Sequence, residues 1–195
     1  MRKSRQFPLM LLLAALLCAC GQKALEIPDY PLTAETVEAA VEAAGLPFTV
    51  EPVAPGALLR EDQTGYGLYL EGGTAADIVA SLTSIAPSEK PEDRYLNLSF
   101  PTDYFVSTMP EPWQEESWQT AAELAAGLYG GFSGPSALYD AWTEGAAAAE
   151  EQPAGEGTRY TWSGQAEGVA CRITWTVLPE GAKLQAITLG QKPAA

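Results

Sequence analysis

Histidine is absent from the 195 residues. Without an imidazole the chain has no Ser-His-Asp triad, no Cys-His pair and no histidine-ligated zinc or iron centre. Cysteine is scarce, with three in all, at positions 18, 20 and 171. Positive charge is scarce as well: 11 Lys+Arg stand against 25 Asp+Glu, a net charge of −14. Nucleic acid needs a basic footprint for its phosphates and is excluded as a partner on that ground. A membrane-spanning helix takes about 20 consecutive apolar residues. The apolar run at the start of the chain, Phe7 to Ala19, has 13 and is interrupted by Pro8.

What is present suits a globular protein. The chain is 47% hydrophobic, an ordinary value for a folded domain, and its length fits a single domain with a sizeable core. Arg2, Lys3 and Arg5 precede the apolar run, and small residues close it. A basic head, a short apolar body and a small-residue end form a secretory signal peptide.

The run ends in Leu17-Cys18-Ala19-Cys20-Gly21. This resembles the lipobox of bacterial lipoproteins, with Leu at −3, a small residue at −1 and Cys at +1. Cys18 is a second cysteine there, but Leu17 before it is not small. The resemblance covers the leader and implies that Cys20 carries a diacylglyceryl thioether after cleavage. Two acyl chains hold a protein stably on a membrane. Removing Arg2, Lys3 and Arg5 from the 11 basic residues leaves 8 against 25 acidic ones, a net charge of −17. An anionic surface repels such a domain, so attachment rests on lipid and not on a polybasic patch. The expected location is the extracytoplasmic face of the cell membrane. Residues 1–19 are then the signal peptide, 20–32 a lipidated tether and 33–190 one domain. The mature part resembles only small uncharacterised bacterial lipoproteins.

Within that domain, Thr33 suits the N-cap of a helix over 34–44, with Val37, Ala40, Val41 and Ala44 on one face and Gly45 at its end. Strands are expected at 48–51, 66–71 and 95–100. Ala75 to Ile85 fits a helix through Ile78, Val79, Leu82 and Ile85, or a strand folding back through Gly72-Gly73; the β-branched content favours the strand. Trp118, Ala121, Ala122, Ala125, Leu128 and Tyr129 form the clearest helical stripe, and a short helix follows Pro135. Residues 146–157 read as an exposed loop. Strands are expected at 159–163, 169–178 and 184–189. The fold class is therefore α+β: an antiparallel sheet of about five to seven strands with two or three helices packed on one face. The order repeats, helix then strands, over 33–100 and 113–190, without a residue-level repeat.

No catalytic constellation emerges. Cys171 shares a strand face with Val169, Ile173 and Trp175 and reads as core. Gly131-Phe132-Ser133-Gly134-Pro135 starts like a nucleophile elbow but lacks its last glycine. Asp140 and Glu144 share a helix face, without a second motif to make a glycosidase pair. No calcium loop or phosphate-binding glycine motif occurs, and no cofactor or metal is expected. The aromatics at 113–142 are mostly expected in the core. Trp113, Tyr139, Asp140 and Trp142 are the candidate binding surface. The expectation is a non-enzymatic binding or interaction module, with an envelope protein or glycan as partner. The alternative is a carboxylate-dependent hydrolase or a carbohydrate-binding module at the cell surface.

Overall fold

A computed structural model describes residues 23–53, 62–70, 78–86, 93–101, 104–107 and 116–191. The segment expected to be a signal peptide, Cys20 and Trp113 lie outside them. Helix α1 spans Ala34–Ala43. The Thr33 hydroxyl accepts the Thr36 N–H at 3.3 Å. At the other end, the Gly45 N–H donates to Glu42 O and the Leu46 N–H to Val41 O, a Schellman stop that places Gly45 at φ 66°.

Four strands follow: β1 (Phe48–Pro52), β2 (Gln63–Leu70), β3 (Ile78–Ile85) and β4 (Tyr95–Ser99). A two-residue strand, β5 (Val106–Ser107), precedes helices α2 (Glu116–Tyr129) and α3 (Ala137–Gly145). The chain ends in β6 (Glu150–Ala154), β7 (Gly157–Ala166), β8 (Val169–Leu178) and β9 (Gly181–Leu189). The strands lie in the order β1-β2-β3-β4-β9-β8-β7-β6, with β5 also on β9. Every pairing is antiparallel. The protein is α+β, and 78–85 is a strand.

The sheet is larger than five to seven strands. The main addition is β6, in the segment expected to be a loop. Its side chains are almost all exposed, so no hydrophobic alternation marks it. It pairs with β7 through a two-residue turn at Gly155 and Glu156, with Gly155 at φ 64°. Strand β7 also runs past Gly164 to Ala166. The Trp162 ring lies over this glycine, and a Cβ there would come within 2.5 Å of it. The glycine thus makes room for an aromatic neighbour and does not end the strand.

One face of the sheet carries the core. Leu68, Leu82, Leu96, Leu98, Ile173, Trp175, Ile187 and Leu189 are all buried there with the apolar faces of the helices. Trp118 of α2 stacks on Trp142 of α3, with centroids 5.3 Å apart and planes 9° apart, and both meet Trp175 of β8. The Trp118 Nε1–H donates to Phe105 O at 2.9 Å. Residues 23–32 are part of the fold. Leu25 exchanges backbone hydrogen bonds with Gly131 and Phe132. The Tyr30 hydroxyl donates to Leu128 O at 3.0 Å. Leu32 is buried, its N–H on Ser84 Oγ and its carbonyl accepting from Thr64 and Tyr66. This strap ties the end of α2 to β2 and β3.

Candidate functional site

Two of the surface residues expected from the sequence are not free aromatic ligands. Trp142 is fully buried, because its indole fills the space between Trp118 and Trp175. Tyr139 is half-buried and packs edge-on against Trp142 at 5.9 Å. Asp140 is exposed and lines a depression of about 370 Å³ with Glu144, Glu167 and Ser133. Glu167 is already engaged there. One oxygen accepts the Ser133 N–H at 2.7 Å and the other accepts the Ser133 hydroxyl. These two bonds hold its carboxyl below the ordinary range. Ser133, the serine of the elbow-like segment, is thereby a clasp on the β7–β8 turn.

Cys171 is buried, and burial pushes its thiol up to about 11. Such a sulfur is a poor nucleophile near neutral pH. Among the described residues, no group of three Cys, Asp or Glu side chains is placed to hold a metal ion. No described helix is long and apolar enough to cross a membrane. A groove of about 550 Å³ runs between α1 and α2, lined by Ile27, Ala39, Ala43, Glu123 and Gly127 among others.

The face of the sheet opposite the helices is different in kind. Strand alternation that buries Cys171, Ile173 and Trp175 turns Arg172, Thr174 and Thr176 outward. Register then aligns polar side chains in rows across the strands. Ser163, Arg172, Thr188, Asn97 and Thr83 form one row. Thr161, Thr174, Ala186, Ser99 and Ser81 form the next. Arg159, Thr176 and Lys183 form a third. Neighbours bond along the surface: Thr188 Oγ1 donates to Asn97 Oδ1 at 2.9 Å, and Asn97 Nδ2 to Ser99 Oγ at 3.1 Å. Tyr95 lies on this face, and burial raises its phenol while Thr188 and Arg172 act against that rise.

The charges are segregated. Five basic residues are described: Lys23, Arg94, Arg159, Arg172 and Lys183. Lys23 pairs with Glu26 on the strap at 3.6 Å. Arg94 is buried over the Tyr129 ring and donates to the carbonyls of Tyr129 and Gly130 at the end of α2, where a cation meets the negative pole of the helix. Register places the other three on the open face, over β7, β8 and β9, where the Lys183 ammonium donates to Pro101 O at 3.4 Å. Two described acids sit on that face, Glu51 on β1 and Glu150 on β6, one at each edge of the sheet. Arg172 borders a shallow depression of about 410 Å³ with Ser163 and Gln165. Sequence reading turned Arg172 outward but had no means to bring Arg159 and Lys183 beside it, since that follows from register.

No family model, curated protein or solved structure matches the chain.

Proposed function

We propose that this protein is a lipid-anchored component of the cell envelope, held through Cys20, and that its domain is a non-enzymatic interaction module. One observation supports the reading most: the lipobox-like Leu17-Cys18-Ala19-Cys20 stands five residues before Leu25, where the strap first bonds to the rest of the fold. Residues 20–24 extend at most about 17 Å at roughly 3.3 Å per residue. The domain would therefore sit against the membrane surface instead of at the end of a long tether. Interaction would fall to the open sheet face, which is broad, polar and distinct in charge from the acidic remainder.

Replacing Cys20 tests the anchor. C20A should abolish metabolic labelling by a fatty acid and release the protein from the membrane fraction. Continued labelling, or membrane attachment equal to wild type, sinks the reading.

A further inference from the structure

Helix α1 has two apolar faces. Val37 and Val41 are buried in the core. Ala39 and Ala43 are exposed and line the groove toward α2, together with Gly127 and with Leu25, Ile27 and Pro28 of the strap. Ile27 is 49% exposed, yet it is held in place. Its backbone passes over Gly130, where a Cβ would come within 2.7 Å of the Ile27 Cα, and its side chain lies beside Gly131. Just before it, Leu25 is bonded to Gly131 and Phe132. The fold thus fixes a large aliphatic side chain in water, on the lining of an apolar groove.

The chain before the strap decides what covers this face. Cys20 stands seven residues before Ile27, so residues 20–26 reach at most about 23 Å at roughly 3.3 Å per residue. An anchor at Cys20 therefore keeps the groove beside the lipid surface. The open sheet face lies beyond the helix layer, itself about 10–12 Å thick. A short tether gives a surface an effective concentration on the order of millimolar, so a patch too small to hold a free protein on a membrane is engaged once the anchor is in place. Charge selects the kind of lipid. Glu26 and Glu123 line the groove, and Glu38 and Glu42 are exposed on α1. Lys23 of the strap is paired with Glu26. Anionic headgroups repel such a face, and zwitterionic ones do not.

We propose that the α1–α2 groove and Ile27 form the membrane-apposed face of the protein, with Ile27 entering the interfacial layer of a zwitterionic bilayer. The proposal rests on the lipid anchor at Cys20 and names the surface which that anchor brings to the membrane. An exposed apolar patch fits a membrane or a protein partner, and the reach from Cys20 selects the membrane. Apolar side chains docked in this way sit about 5–10 Å into the boundary between headgroups and acyl chains. The open sheet face then points away from the bilayer, toward partners in solution.

The test attaches an environment-sensitive fluorophore through A43C on the groove, or through S163C on the open face, in the full-length lipidated protein. The protein is reconstituted in phosphatidylcholine vesicles that contain a nitroxide-labelled lipid. Cys171 is buried and Cys20 carries the thioether, so the introduced thiol takes the label. Quenching should be about threefold or more greater at A43C than at S163C, because only the first site lies at the lipid boundary. I27D should bring quenching at A43C down toward that at S163C, I27S should act in the same direction without adding charge, and I27V should retain it. An unchanged melting temperature of I27D and I27S shows that the fold is intact. Replacing part of the phosphatidylcholine by phosphatidylglycerol at low salt should reduce quenching at A43C, and added salt should restore it. Equal quenching at the two sites, wild-type quenching in both I27D and I27S, or stronger quenching on the phosphatidylglycerol vesicles overturns the proposal. Fatty-acid labelling of the same protein separates the two readings. Label on Cys20 with equal quenching sinks the membrane face and leaves the anchor standing, whereas absence of label on Cys20 sinks both.

Discussion

The two halves of the molecule have the same topology and different interiors. Each places helix before a four-stranded meander, and the meanders meet antiparallel at their last strands, β4 and β9, with Leu98 opposite Ile187. Both outer strands, β1 and β6, have five residues including a glutamate and a proline. Short, charged, proline-bearing edges resist pairing with another chain. Within that common plan, β7, β8 and β9 have 10, 10 and 9 residues, and β2, β3 and β4 have 8, 8 and 5. The C-terminal half packs around Trp118, Trp142, Trp162 and Trp175, whereas the N-terminal half relies on Val37, Val41, Leu68 and Leu82. The open faces differ too, hydroxyl-rich over β3 and β4 and cationic over β7 to β9. A repeated topology thus constrains pairing and edges, and leaves each core and each outer face to its own side chains.

The halves are fastened in two ways. One is the β4–β9 seam. The other is the strap, with Leu25 and Tyr30 on the α2 end and Leu32 on β2 and β3. Gly130 permits this contact. It stands at φ 71°, and a Cβ there would come within 2.2 Å of Glu26 O.

The largest effect should come from the aromatic core. Trp175 contacts Trp118, Trp142 and Tyr160, and Trp175→Ala should cost about 3–5 kcal/mol, read as a lower denaturant midpoint. A loss below about 1 kcal/mol would erase the proposed contrast between the two cores. Next comes the strap. Gly130→Ala should cost about 1–3 kcal/mol through backbone strain and steric contact. It should also free the strap, read as faster hydrogen exchange at the Leu25 amide, which donates to Phe132 O; unchanged exchange would show that the halves are not joined there.

The smallest effect concerns the clasp inside the C-terminal half. Glu167 has a lowered carboxyl pKa, chiefly through its hydrogen bonds from Ser133. Its folded form therefore binds protons less readily than the unfolded chain, so the clasp contributes above the ordinary carboxylate pKa. That contribution is lost as pH falls through the lowered value. E167Q should melt slightly below wild type at neutral pH, and the gap should narrow as pH falls below the ordinary carboxylate range. A gap that persists into acid would assign the effect to side-chain shape.

Much of the fold was legible in the sequence where local chemistry and periodicity coincide. The Thr33 cap, the Gly45 stop, the Trp118 to Tyr129 stripe and the alternation of β8 all appear as expected. Strand β6 was not legible, because an exposed edge strand has no core-facing pattern and is defined by its pairing with β7. The aromatic surface was misread at Trp142 for a related reason. A tryptophan on a short helix presents the same letters whether it meets solvent or a second tryptophan, and only the approach of α3 to α2 and β8 decides.

The sequence by itself determined the charge balance, the lack of histidine, the lipobox-like motif at Leu17 to Cys20 and the elements whose apolar spacing selects one period. These are properties of composition and of neighbours along the chain. The tertiary structure alone decided that residues 25–32 are strapped to the domain and that Trp142 is core. It also decided that Arg159, Arg172 and Lys183 share one open face. Each of these depends on register and on packing between residues far apart in sequence, and backbone hydrogen bonding across strands sets that register only once the chain has folded.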